Sequence, residues 1–297
     1  MCTMLNYSFI IPHKNSTEYL SRCLKSIPER EDVEIIVVDD NSDEDKKPVI
    51  EHPNERIVYL NAKESNGAGK ARNEGLSRAS GKWLLFADCD DFYERNFLVK
   101  LDEFVDSSYD VIFFDSHFFY EPTDGDEQDS PRKKYIDAFL DNPESLKSYA
   151  FVTHCDENVW SRMFRRDFIN EISAQFEERL ACNDGWFAHY TSIKANAVKV
   201  IDSKLYYYVK NAGSISQKKQ TEKMYLDRFM AACRIRKLLY HSNCRIALAK
   251  KFSMRSFLGR LRHQGLRFFL RLLYLHFRYD VPFGVIYYFK IKTFFSR

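Results

Sequence analysis

Apolar residues fall along this chain in short unbroken runs, then in helical stripes, and last in a tail where they alternate with basic residues. Four runs open it: 7–12 (YSFIIP), 33–38 (VEIIVV), 57–60 and 83–87 (WLLFA). Runs of this length, bounded by polar turns, read as strands. Where every position is apolar, both faces are buried, as in a parallel sheet. Between the first two runs, Tyr19, Leu20, Cys23, Leu24 and Ile27 recur at helical spacing, with Ser16 and Thr17 available as caps and Pro28 as a stop. Residues 66–79 read as a second helix, closed by Gly81. Strands alternating with helices predict an α/β fold: a doubly wound, mostly parallel central sheet flanked by helices.

Further along, 93–104 reads as a helix and 109–114 (YDVIFF) as another buried strand. Residues 121–134 carry Pro, Gly and mixed charge, a loop that ends the first half. Residues 136–151 read as a helix, 159–164 as a strand followed by a short helix, and 186–194 as an amphipathic helix. Residues 198–201 and 205–209 read as two strands around an Asp202-Ser203 turn. From Thr221 the chain reads as helical, with a stripe through Met224, Phe229, Met230, Ile235, Leu238 and Leu239.

Three strand ends gather polar residues: Pro12 to Asn15, Asp39 to Ser42, and Asp88 to Asp91. Open α/β sheets bind ligands outside the carboxyl ends of their strands, so three such ends together predict a crevice. In WLLFADCDDF an apolar strand stops at Asp88, Asp90 and Asp91. Carboxylates this close repel one another unless a cation neutralises them, and hard oxygen ligands favour Mg²⁺ or Mn²⁺ bridging a phosphate. The other reading is an acidic turn leading into a helix N-terminus.

The run Gly67-Ala68-Gly69-Lys70-Ala71-Arg72 is not a dinucleotide fingerprint, since Arg stands where its last Gly belongs and it follows the third strand. Two readings stay open: a helix N-terminus that approaches an anion with Lys70 and Arg72, or glycines that allow a tight turn.

Composition changes this picture at one place. With 45% apolar and 15% aromatic residues, a packed core is available and global disorder is excluded. The seven cysteines are scattered without CxxC spacing, so neither a disulfide framework nor a zinc site is expected, and the chain is expected to be cytoplasmic. No secretory leader and no apolar stretch of spanning length is seen. Net charge is +3, yet residues 251–297 hold ten basic residues against Asp280 alone. Arg and Lys interleaved with Phe, Leu and Tyr suit an amphipathic helix on an anionic membrane surface, such as the inner face of the cytoplasmic membrane. The alternative is a basic helical hairpin packed on the rest of the protein. No nucleic-acid module is present.

In order, IIPHKN, VVDDNS, NGAGKARNEGL, GKWLLFADCDDF, VWSRMFRRDFI, NDGWF and YYYVKNAGSIS resemble the inverting family 2 glycosyltransferases of GT-A fold that build bacterial surface polysaccharides. The likeness spans roughly residues 7–215. It implies a catalytic domain over 1–215, with a nucleotide-sugar half to about 120 and an acceptor half from about 135, followed by a basic helical extension over 216–297. It implies transfer of a sugar from a nucleotide-diphosphate donor, commonly a UDP-sugar, to a hydroxyl of a saccharide acceptor, lipid-linked glycans included. By position, Asp40 would hold the base, with Pro12 and Asn15 in the same pocket, and Lys70 and Arg72 near the donor. Asp88 and Asp90 would be the outer residues of the DxD motif, Asp90 and Asp91 the metal contacts, and Asp184 the general base. An acid commonly precedes that base; Asn183 stands here. Arg162, Arg165 and Arg166 lie in a VW-x-K/R-x-Y/F-R pattern, and Trp160 or Trp186 could stack on the acceptor sugar. The competing readings are a nucleotidyltransferase, which usually has a Gly-rich basic loop after the first strand, and a non-catalytic glycosyltransferase-like subunit.

Overall fold

A computed structural model describes residues 4–60, 67–121, 128–154, 157–210, 221–242, 244, and Arg267, Leu270, Arg271, Tyr274, Phe277 and Arg278. In chain order the elements are β1 (Tyr7–His13), α1 (Thr17–Ser26), β2 (Val33–Asp39), β3 (Glu55–Tyr59), α2 (Ala68–Arg78), β4 (Trp83–Phe86), β5 (Phe92–Tyr93), α3 (Phe97–Asp102) and β6 (Val111–Tyr120). Then follow β7 (Gln128–Asp129), α4 (Lys133–Asp141), α5 (Leu146–His154), β8 (Arg162–Arg165), α6 (Arg166–Glu171), α7 (Gly185–Lys194), β9 (Val198–Lys210) and α8 (Glu222–His241).

The described strands form one sheet in the order β3-β2-β1-β4-β8-β6-β9-β5, with β7 on the outer end of β6. The pairs β3-β2, β2-β1 and β1-β4 are parallel, as the apolar runs predict. β8 inserts antiparallel between β4 and β6. β6 and β9 pair in parallel, and β5 closes the far edge antiparallel to β9.

Alternation along the central strands splits the core into two layers, because successive side chains leave a strand on opposite faces. Phe9, Ile11 and Leu85 pack under α1 and α3 with Leu20, Leu24 and Leu101. Ile10, Leu84 and Phe86 face the other way, onto Phe164, Phe176 and Phe187. There the Phe176 and Phe187 rings stack at 4.0 Å and Phe86 meets both edge-on. Each such ring, fully buried, contributes about 1.5–3 kcal/mol. α8 packs on α7, and Gly185 lets them close: a Cβ there would lie 3.0 Å from Ile235 Cδ1.

Three expectations need correction. Residues 93–104 are not one helix: Phe92 and Tyr93 pair with Tyr207 and Tyr206, and Asn96, at φ 62°, turns the chain before α3 begins. Residues 136–151 are not one helix either. Pro143 lies between α4 and α5, and a proline there lacks the N–H that a continuing helix needs. Finally, 198–201 and 205–209 belong to one strand, β9, whose register against β6 shifts around Asp115 instead of turning back. The helix expected to open at Asn66 begins at Ala68; Asn66 and residues 211–215 lie outside the described residues.

Candidate active site

β1, β2 and β4 point their carboxyl ends to one edge, and the loops there knit together. His13 binds Asp39 through Nδ1 at 2.9 Å and accepts the Ser16 N–H on Nε2 at 3.2 Å, so its ring proton sits on Nδ1. Asp39 also accepts from the Ser42 hydroxyl and, at 3.1 Å, from the Ser42 N–H. Asn15, at φ 53°, donates its N–H to Ser42 Oγ at 2.8 Å and exchanges side-chain bonds with Asp43. Pro12 is buried opposite Val38. These contacts spend Asp39 on the loops. The next carboxylate, Asp40, is 3% exposed and accepts the Gly67 N–H at 3.2 Å, at the entry to α2.

The acidic turn after β4 is held from two sides. The Tyr206 hydroxyl accepts the Asp88 N–H at 3.0 Å and donates to Asp91 Oδ2 at 2.8 Å, while the Val209 N–H reaches Asp91 Oδ1 at 2.7 Å. Asp91 is 1% exposed, and burial beside Asp90 and Asp88 pushes its carboxyl well above the usual range. Each of its oxygens accepts one hydrogen bond from the fold. From the other side Arg22, stacked on Phe92, donates to the Asp90 carbonyl at 2.6 Å and pairs with Glu121. Asp88 and Asp90 remain half-buried at the rim.

The glycines at the start of α2 serve a third purpose, close approach to another loop. A Cβ on Gly67, at φ 81°, would lie 2.4 Å from the Arg179 carbonyl oxygen, and one on Gly69 would lie 2.0 Å from that of Glu177. Residues 177–183 therefore lie directly on the start of α2. Lys70 pairs with Glu178 at 3.3 Å. Arg72 is 4% exposed and turned inward: one arm donates to Asp88 Oδ1 at 2.5 Å, the other to Asn183 Oδ1 at 2.7 Å, and its plane covers Phe176 at 5.5 Å. Its guanidinium thus contacts protein groups that flank the crevice.

Asp184 follows Asn183 as the N-cap of α7, and its carbonyl accepts the Ala188 N–H at 2.9 Å. Burial pushes its carboxyl up to about 6; Arg72 opposes the rise, and Glu157 and Asp88 add to it. A carboxylate that gains its proton near pH 6 can take one from a hydroxyl near neutrality, which an ordinary aspartate does poorly.

The arginines of the VWSRMFRR segment face inward or along the protein. Arg162, fully buried, donates to the Ala188 carbonyl at 3.0 Å and Ser192 Oγ at 2.9 Å and covers Phe113 at 4.7 Å. Arg165 pairs with Asp110 at 2.6 Å, and Arg166 donates to the Ser80 carbonyl. Trp160 stacks on Tyr206 and Tyr208 inside the core and presents no platform for a sugar. Trp186 carries Arg234 over its ring at 4.5 Å and lines a cleft of about 700 Å³ with Phe176, Tyr190 and Asp227. Tyr206 and Glu157 were not singled out by sequence reasoning. Tyr206 stands in YYYVKNAGSIS, but one tyrosine among three gives no sign of which faces the turn.

Among the described residues no three His, Cys, Asp or Glu side chains converge into a metal cage. The site does fit a cation of another kind, one that takes one or two carboxylates and completes its shell with water and phosphate oxygens. Asp88 and Asp90, half-buried at the rim of the turn, are carboxylates of the kind such a cation takes.

A mostly parallel sheet with Asp40 and Asp88 just past the ends of β2 and β4, and Asp184 capping α7, is that of a GT-A nucleotide-sugar fold. The sequence matches Glycosyl transferase family 2 over residues 8–173, and the chain belongs to that family. It is 24% identical over 229 residues to a Bacillus subtilis (strain 168) protein named EpsH, covering 72% of this chain and 63% of that one. It is 27% identical over 215 residues to the Staphylococcus aureus (strain Mu50) poly(ribitol-phosphate) beta-N-acetylglucosaminyltransferase TarS, covering 69% of this chain and 35% of TarS. The chain thus spans less than two thirds of the length of these relatives. The fold matches the crystal structure of S. aureus TarS 1–349 in complex with UDP-GlcNAc, with a TM-score of 0.70 and 21% identity over 95% of this chain and 83% of that one.

Proposed function

We propose that the protein transfers a sugar from a UDP-sugar to a hydroxyl of a saccharide acceptor in bacterial surface polysaccharide synthesis, inverting the anomeric centre. The observation that carries this reading is Asp184: a carboxyl raised to about 6 on a helix N-terminus, facing the acidic turn of β4 across Arg72. Asp184 takes the acceptor proton as the hydroxyl attacks from the face opposite the diphosphate, and a single displacement inverts the centre. General-base help of this kind is worth about 10²–10⁴-fold.

Asp40, deep between the β1 and β2 loops and the start of α2, binds the base, with Pro12 and Asn15 shaping that pocket. Asp88 faces the ribose. Asp90 holds a divalent cation, Mn²⁺ or Mg²⁺, whose chemistry when bound is to neutralise charge on the departing diphosphate. Lys70 and Arg72 act through the residues they bind, Glu178, Asp88 and Asn183, rather than through the donor. The name of TarS and its UDP-GlcNAc complex support a UDP-sugar. Lipid-linked acceptors are supported by a Campylobacter jejuni relative named GalNAc(5)-diNAcBac-PP-undecaprenol beta-1,3-glucosyltransferase, 35% identical over 116 residues, 37% of this chain and 38% of that one.

The catalytic unit is residues 1–215, and within the basic extension 216–297 it is 251–297 that seat it on an anionic membrane. In support, Leu270, Tyr274 and Phe277 are helical and 56–63% exposed beside exposed Arg267, Arg271 and Arg278. Among the described residues no helix is long and apolar enough to cross a membrane.

The deciding experiment is turnover of a panel of UDP-sugars with Mn²⁺ and saccharide acceptors, in wild type and Asp184→Asn. Transfer with inverted configuration that is lost in the variant, while UDP-sugar still binds, supports the reading. A UDP-sugar that binds but is never transferred by wild type would point to a non-catalytic subunit. Co-sedimentation with phosphatidylglycerol vesicles, compared with phosphatidylcholine vesicles, tests the membrane seat.

A further inference from the structure

The tyrosines of β9 leave the strand on alternate faces. Tyr206 and Tyr208 stack on Trp160, so Tyr207 between them leaves by the opposite face. There it meets its register partners on both sides: the Phe92 ring of β5 at 4.5 Å and the His117 ring of β6 at 4.2 Å, within 13° and 10° of parallel. Both faces of Tyr207 are thereby taken. Phe119, two residues along β6, meets Phe92 edge-on at 6.4 Å. Phe92, Phe119 and Tyr207 are half-buried, and with exposed Val99 of α3 they line a groove of about 740 Å³.

The charges along this groove do not balance. Arg30 is paired with Asp32 and Asp102, and Glu94 lies 3.7 Å from His117 Nε2. Lys25, in the last turn of α1, and Arg95, just before α3, are exposed, and among the described residues no carboxylate pairs with either. An apolar groove with two spare cations suits a ligand that is apolar along its length and anionic at one end. A sugar or a base would stack flat on an aromatic face. Tyr207 has none free, and Phe92 carries Arg22 over its ring at 5.1 Å. Ring edges serve a hydrocarbon chain, whose burial needs area and no direction.

We infer that this groove holds the lipid end of a lipid-linked acceptor, its hydrocarbon chain along Phe92, Phe119, Tyr207 and Val99 and its phosphate at Lys25 and Arg95. The place in the fold supports this. Phe92 directly follows Asp91 of the acidic turn, and Arg22, over Phe92, donates to the Asp90 carbonyl at 2.6 Å. The groove therefore lies beside the turn that serves the donor. Its volume is that of a small-molecule site, enough for the phosphate and the first part of a chain whose remainder stays in the membrane. This differs from the seat provided by 251–297, which any anionic surface would satisfy.

The inference rests on the sugar-transfer reading above, but its test reads binding. Isothermal titration of the whole chain compares farnesyl phosphate, kept below its micelle concentration, with farnesol and with inorganic phosphate. Farnesyl phosphate is expected to bind more tightly than either. Lys25→Gln combined with Arg95→Gln should weaken it by about tenfold or more. Val99→Asp, which puts a charge where the chain lies, should weaken it by about as much. All three positions are exposed, so both variants keep the fold. No binding of farnesyl phosphate overturns the inference, as does inorganic phosphate binding equally well. Binding unchanged in both variants also overturns it and moves the lipid to another surface, the basic tail included. Transfer to a water-soluble saccharide should keep its wild-type rate in both variants. If farnesyl phosphate binds as expected while wild type transfers no sugar, the enzymatic reading falls and the lipid site stands.

Discussion

Tyr206 and Asp91 share a buried hydrogen bond of 2.8 Å, and through it the acidic turn after β4 is fastened to β9, a strand that begins more than a hundred residues later. The same hydroxyl accepts the Asp88 N–H at 3.0 Å, so one oxygen orients both ends of the turn. Placement of the donor-side acids therefore depends on the second half of the chain.

Tyr206→Phe keeps the ring stacked on Trp160 and removes only this oxygen. It leaves a buried Asp88 N–H and an Asp91 oxygen without that partner, at a cost of about 1–3 kcal/mol. Urea unfolding should show that loss, and UDP-sugar affinity should fall with it. A variant as stable as wild type would mean that the turn is held elsewhere.

Asp184→Asn should cost about 10²–10⁴-fold in transfer while sparing donor affinity. Wild-type rate should rise with pH through about 6, as Asp184 loses its proton. Stability runs the other way. The folded carboxyl binds its proton more tightly than the unfolded one at 3.8, so its favourable contribution is full below that value and is lost as pH rises through 6. At pH 8 the charged, partly buried Asp184 therefore destabilises the fold by an amount on the order of 3 kcal/mol. Asp184→Asn should consequently melt higher than wild type at pH 8 and near wild type at pH 4. Equal melting at both pH values would contradict the burial of this carboxylate.

The strands β1, β2 and β4 were legible because each is buried on both faces, so apolar runs mark them and their polar stops mark the crevice. The places of Asp40 and Asp88 just past strand ends were legible from the apolar runs that precede them, and Asp184 stands ahead of the helix that the sequence places at 186–194. The breaks went unread for local reasons. Tyr93 follows acids that read as the cap of a helix, and only the pairing of Phe92 and Tyr93 with β9 makes them a strand. The roles of Arg72 and Asp91 were hidden for a different reason. Charge in a sequence suggests a ligand, whereas these side chains hydrogen-bond Asn183 and Tyr206, at separations of 111 and 115 residues. The glycines at 67 and 69 posed the same problem, because the loop that requires them lies more than a hundred residues downstream.

Gly69→Ala tests that loop contact. The added methyl would lie 2.0 Å from the Glu177 carbonyl oxygen and 2.9 Å from Asn183 Cβ, both anchored by the packing of the loop. Overpacking of this sort costs about 1–3 kcal/mol. Because the loop also carries Asn183 to Arg72, transfer should fall as well as stability. Thermal melting paired with a rate measurement should show both; a loss of stability alone would detach the loop from the chemistry.

Asp90 and Asp91 stand side by side and should behave oppositely in a thermal-shift assay with UDP and Mn²⁺. A ligand at 100 times its Kd stabilises a fold by about 2.7 kcal/mol, an easily read rise in melting temperature. Asp90 sits at the rim, so Asp90→Ala should melt close to wild type without ligand and lose the Mn²⁺-dependent part of the rise. Asp91 is enclosed, with Tyr206 on one oxygen and the Val209 N–H on the other. Asp91→Ala should therefore melt lower without ligand, by the loss of two buried hydrogen bonds at about 1 kcal/mol each and a cavity besides. Where that variant stays folded, it should still show the Mn²⁺-dependent rise. If instead Asp91→Ala abolished the metal effect while Asp90→Ala kept it, the turn would have to reorganise on binding, releasing Asp91 from Tyr206 to reach the cation.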